Sequence, residues 1–139
     1  MEEDEKKLSK IGIVSCSGED LPEGTISRLA TLEVLHHKKP FDTTTICLPL
    51  YIAGGEGDRM FAKNHPTITV DGCEKLCAKK ATEKYSGKVT HSINVRDFIK
   101  NAAEIKNKSN LNDSEKKLVS EVADVISLKV DEILKENNK

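Results

Sequence analysis

Aromatic residues are scarce in this sequence. It has no tryptophan, two tyrosines and three phenylalanines among 139 residues. That removes the stacking platforms on which proteins hold unpaired bases. It also leaves isoleucine, leucine, valine and alanine to build the core. Charge of one sign is lacking too. The 22 lysines and arginines nearly balance the 23 aspartates and glutamates, giving a net charge of −1. No overall field draws such a chain to nucleic acid or to an anionic membrane. No apolar run is long enough to cross a bilayer. The opening residues, MEEDEKKLSK, lack the apolar centre of a secretion signal. The expectation is therefore a cytoplasmic protein with neither a nucleic-acid nor a membrane partner.

What is present fits one globular domain. The chain is 37% hydrophobic and 32% charged, and its length suffices to bury a core without disulfides. Residues 1–9 read as a charged flexible leader, and residues 10–139 as a single α/β domain. Ile11, Ile13 and Val14 form a short apolar run that ends in the turn Ser15-Cys16-Ser17-Gly18. Pro22 suits the first turn of a helix, where its missing N–H has no partner to lose. The apolar face of that helix is Ile26, Leu29, Ala30, Leu32 and Val34. Positive charge gathers at its end in His36-His37-Lys38-Lys39, before Pro40.

A β-branched run predicts a second strand over 43–50, its paired part ending near Leu48 because Pro49 cannot donate to a ladder. The glycine-rich loop 53–57 precedes a short helix around 58–63. Thr67-Ile68-Thr69-Val70 predicts a third strand, and Asp71-Gly72-Cys73 turns it into a helix from Glu74 to about Tyr85. A fourth strand is expected over 89–95, with Asp97 capping a helix that runs through Lys106. Leu118, Val122, Val125, Ile126, Ile133 and Leu134 recur at helical spacing. They predict a long amphipathic helix over 112–138, opened by a capping box of Asn112 and Glu115 and packed on the sheet. Alternating strands and helices give a small three-layer α/β sandwich, with a mainly parallel four-stranded sheet flanked by helices.

That topology makes the four cysteines informative. In a parallel sheet all strand carboxyl ends lie along one edge, and ligands bind there where strand order reverses. Cys16 ends the first strand, Cys47 lies near the end of the second, and Cys73 follows the third. Cys77 comes one helical turn later. In a reducing compartment, grouped thiols bind metal or do chemistry more often than they form disulfides. Four thiolates suit tetrahedral zinc, and the same set suits an iron–sulfur cluster. Each cysteine also has a plainer reading as a small buried hydrophobe, most readily Cys47 within its apolar run.

The segment Asp71-Gly72-Cys73-Glu74-Lys75-Leu76-Cys77-Ala78 resembles the signature of the DGC-domain family, named for Asp-Gly-Cys. The resemblance extends to Cys16-Ser17-Gly18, Glu23-Gly24-Thr25 and Ile46-Cys47-Leu48-Pro49-Leu50. It continues through 53–57 and 82–87, spanning roughly residues 11–95 and leaving the last helix outside its strongest part. It implies a zinc-binding protein whose four ligands are Cys16, Cys47, Cys73 and Cys77. The resemblance says little about purpose. Because four thiolates saturate zinc and closed sites are typically structural, the expected role is accessory, metal-handling or regulatory rather than enzymatic, and no catalytic residue is assigned.

Other readings remain at this point. Cys16-Ser17-Gly18 between a strand and a helix also resembles a phosphate-binding turn. Cys16 would then be the nucleophile of an enzyme or a group carrier, although Arg28 lies too deep in the helix to close such a loop. An iron–sulfur redox protein is the third class. Glu56 and His65 are candidate extra ligands whose default is an ordinary loop position. His91 is read as buried with a partner. Asp71 precedes the cysteine helix and is read as its cap.

Overall fold

The computed structural model describes residues 10–18, 21–101, 105–106 and 110–137. The expected leader lies outside them, as does part of the helix expected to run through Lys106. Four parallel strands form one sheet: β1 (Ile11–Ser15), β2 (Thr43–Thr45), β3 (Thr67–Asp71) and β4 (His91–Asn94). They stand in the order β2-β1-β3-β4. Ile13 pairs with Thr45 on one side and with Ile68 on the other. The chain therefore leaves β1 toward one edge and returns on the other side, so strand order reverses between β1 and β3.

Alternation along the strands sorts the two faces. On one face Ile11, Ile13, Ile68, Val70, Ile93 and Val95 meet helix α1 (Pro22–Glu33) and the long helix α5 (Asp113–Asn137). Leu118, Val122, Ala123, Ile126, Val130 and Ile133 are the buried stripe of α5. The other face is smaller. Val14 packs there with Ile46, Tyr51 and Ala78. Its cover is three short helices, α2 (Leu48–Ala53), α3 (Glu56–Asn64) and α4 (Cys77–Tyr85). The three-layer α/β sandwich is as expected. The capping box is present as well: Glu115 N–H donates to Asn112 Oδ1 at 2.8 Å, and Asn112 N–H donates to Glu115 Oε1 at 2.9 Å.

Four elements differ from the sequence expectation. The second strand stops at Thr45, not near Leu48. Pro49 sits in the first turn of α2, where its fixed φ favours helix, and Gly54 ends α2 in the left-handed conformation. The apolar run 46–50 thus serves a helix as readily as a strand. The helix α1 continues as a π-helical turn over Val34–Lys38 before Pro40. The expected helix after β4 is a 3-10 turn, Val95–Phe98, and Ile99 is extended. Its cap is Asn94, whose Oδ1 accepts from the Arg96 N–H at 2.9 Å, and not Asp97. The fourth difference concerns the cysteine helix and bears directly on the site.

Candidate metal centre at the switch point

The carboxyl ends of β1 and β3 flank the switch point, and two short turns leave from them. Cys16 follows β1 directly. Its Sγ accepts the Gly72 N–H at 3.3 Å, so the two turns are tied to each other. Ser27 of α1 donates its hydroxyl to the Gly24 carbonyl at 2.6 Å. Its proton is thereby committed, so in the 3.5 Å contact between Cys16 Sγ and Ser27 Oγ the thiol is the donor. Glycine is required where the turns meet. A β-carbon on Gly72 would lie 2.8 Å from the Glu23 carbonyl carbon and 2.8 Å from the Gly24 nitrogen. One on Gly24 would overlap the Gly18 carbonyl oxygen.

The second turn differs from expectation. The helix α4 begins at Cys77, three residues later than predicted, so Cys73 and Cys77 do not share a helix face. Residues 73–76 form a turn closed by the Leu76 N–H donating to the Cys73 carbonyl at 3.2 Å. Leu76 has φ +53° and offers no side-chain cap. The cap comes from Asp71 at the end of β3. Its carboxylate accepts from the Ala78 N–H at 2.7 Å and the Lys79 N–H at 3.2 Å, which fixes where α4 can start. Asp71 is 1% exposed. Burial pushes its carboxyl above the ordinary 3.8, and the two backbone N–H bonds oppose that shift. The cap role expected for Asp71 holds; the helix N-terminus lies at Cys77 rather than beside Cys73.

Cys16, Cys73 and Cys77 line one cavity of about 280 Å³ at this edge, together with Gly18, Asp71, Lys75 and Arg96 among others. Cys16 and Cys73 are half-buried, and Cys77 is exposed. Cys47 also follows a strand, but it is exposed and does not line this cavity. Its N–H donates to Asp58 Oδ2 at 3.0 Å, which holds it at the start of α2. Among the described residues, no three His, Cys, Asp or Glu side chains stand close enough to hold one ion. The donor set therefore suits a thiophilic metal in chemistry and location, while the thiols as placed do not converge.

Among the described residues, the non-glycine positions with positive φ are Ser17 and Leu76. Ser17 follows Cys16 and Leu76 precedes Cys77. Left-handed backbone is unfavourable for such residues and tends to gather at functional sites.

The remaining candidates lie elsewhere. His65 packs its ring on Phe61 at 4.6 Å. His91 is partly exposed and faces Glu132 of α5 at 3.9 Å. Glu56 opens α3 on the surface, and of the loop expected over 53–57 only Gly54 and Gly55 lie between α2 and α3. A larger groove of about 580 Å³ between α1 and α5 contains His36 and His37 but no cysteine. Arg96 was not a candidate from sequence, because no motif marks an arginine after a strand. Only the fold brings it to the cavity, where it pairs with Glu74 and reaches Glu23 at 3.6 Å.

Comparison with curated proteins finds no match, and comparison with solved structures finds none either. The family model of the DGC domain matches residues 12–125. The match includes both cysteine turns, β2 to β4 and all of β1 but its first residue, and it reaches into α5, beyond the segment whose motifs carry the resemblance. The chain belongs to the DGC-domain family.

Proposed function

We propose that this chain is a metal-binding protein that holds a thiophilic ion, zinc in the first instance, through cysteine thiolates at the carboxyl edge of its sheet. Cys16, Cys73 and Cys77 are the core of the ligand set. Cys47 is the fourth ligand, supplied from the start of α2. The observation that carries this reading is that three cysteines, from two separate strand ends, line a single cavity at the switch point. Their donor type supports it, since thiolates are the ligands zinc prefers in closed tetrahedral sites. The family membership supports it as well. Completing the shell requires the Cys73–Leu76 turn and the Cys47 segment to move inward, which suits a reversible site. The role is accessory: metal handling or regulation.

Metal analysis of the wild type beside Cys16→Ser, Cys47→Ser, Cys73→Ser and Cys77→Ser tests this. The expected result is about one zinc per chain, lost in the Cys16, Cys73 and Cys77 variants and weakened in Cys47→Ser. Full zinc retention by all four variants, or no zinc in any preparation, removes the reading. A brown protein with sulfide would instead indicate an iron–sulfur cluster on the same cysteines. A second reading draws on the Gly72 N–H aimed at Cys16 Sγ. It makes Cys16 the nucleophile of a group carrier or enzyme, and a metal-free protein with Cys16 as its single hyper-reactive thiol would favour it.

A further inference from the structure

β4 carries no cysteine, yet two residues at its end grip the cysteine turn. Asn94 Nδ2 donates to the Cys73 carbonyl oxygen at 3.1 Å. Its Oδ1 accepts the Arg96 N–H, so both ends of the amide are used and its orientation is fixed. The Arg96 guanidinium then pairs with Glu74, the residue after Cys73, and its Nε lies 3.6 Å from Glu23 Oε2 in the first turn of α1. One guanidinium thus spans the two walls of the cavity. Glu74 is largely exposed and Arg96 partly so, and exposed pairs of this kind add little to global stability. What these bonds do is local. Without them, the Cys73 end of the segment 73–76 is held by its own 3.2 Å turn bond, against the unfavourable left-handed backbone of Leu76, whose carbonyl is tied to α4 by the Lys80 N–H at 2.8 Å.

We propose that Asn94 and Arg96 are positioning residues, a latch on the Cys73 turn that controls how readily Cys73 leaves its place. On the metal-binding reading above, opening this latch is the movement that lets Cys73 and Cys77 approach Cys16 around an ion. The latch itself belongs to the metal-free chain, so it is testable whether or not metal binds.

The test is the rate of iodoacetamide alkylation at each cysteine, read by mass spectrometry on the full chain after removal of metal by chelation. The variants are Arg96→Ala and Asn94→Ala, the second of which removes the bond to the Cys73 carbonyl without changing any charge beside the thiol. The expected result is a several-fold faster reaction at Cys73 in both variants, with Cys47 unchanged. In the wild type, raising salt to about 1 M should speed Cys73 in the same way, because it screens an exposed pair. That salt dependence should vanish in Arg96→Ala. If Arg96 acted only through its positive charge on nearby thiolates, its removal would slow Cys73. A slower or unchanged rate in Arg96→Ala therefore overturns the proposal. If Arg96→Ala accelerates every cysteine together, the protein is opening globally and Asn94→Ala decides. Selective acceleration of Cys73 upholds the latch, and no change rejects it.

Discussion

Tyr51 and Thr69 show what single side chains contribute inside the smaller core. Tyr51 is fully buried, and its hydroxyl accepts from Thr82 Oγ1 at 3.2 Å. Burial raises its phenol above the ordinary 10.0, partly countered by that hydrogen bond. A pKa raised on folding means the neutral form favours the native state. The stability is fully present below pH 10.0 and is lost as pH rises through the folded value. Alkaline denaturation followed by circular dichroism should therefore show a decline above that pH, and Tyr51→Phe should flatten it. The variant should also cost about 1 kcal/mol at neutral pH for the lost hydrogen bond. Thr69 points the other way. Its hydroxyl is buried on β3 with no hydrogen-bond partner among the described residues. Thr69→Val keeps the shape and removes the orphan group, so urea unfolding should show a gain of about 1 kcal/mol. A loss would mean that the hydroxyl has a partner in solution.

At the scale of elements, helix starts were legible where the cap is local and illegible where it is remote. Asn112 and Glu115 stand three residues apart, so the reciprocal bonds that open α5 can be read from spacing. Glu115 is 0% exposed and also accepts the Lys106 N–H at 3.2 Å. Glu115→Ala should lower stability by about 2 kcal/mol in chemical denaturation, at the upper end of cap losses, and Glu115→Gln by less. The helix α4 obeys the same rule through a distant group. Asp71 caps it from seven residues before Ala78, across the Cys73–Leu76 turn. Spacing counted from Asp71-Gly72-Cys73 places the start too early, at Glu74, and so puts both thiols on a helix face that does not exist. The β2 end failed for another reason. Residues 46–50 are apolar enough for either state, and Pro49 favours a first helical turn as strongly as it disfavours a ladder.

For the whole molecule, the proposed metal binding would be linked to folding. An ion that binds only the native state stabilises it by about 2.7 kcal/mol at a free concentration 100 times its dissociation constant. Thermal unfolding of the chelated protein with and without added zinc should show a matching rise in midpoint. Cys16→Ser should abolish that rise, because Cys16 joins the β1 end to the β3 turn. An unchanged midpoint in the wild type would argue against a ligand set formed by the native fold.

The sequence by itself determined the α/β class, the parallel sheet, the long last helix with its cap, and the address of the cysteines at strand carboxyl ends. These follow from periodicity and from local hydrogen-bonding rules, which act over a few residues. Only the tertiary structure decided which thiols share a cavity. Cys16, Cys73 and Cys77 line one cavity because β1 and β3 are neighbours across the reversal in strand order, while β2 stands on the far side of β1 and carries Cys47 away from them. The tertiary structure also brought in Arg96 and Asn94, which sit in an ordinary stretch of sequence. Their position depends on β4 pairing with β3, and no spacing rule reaches across that pairing.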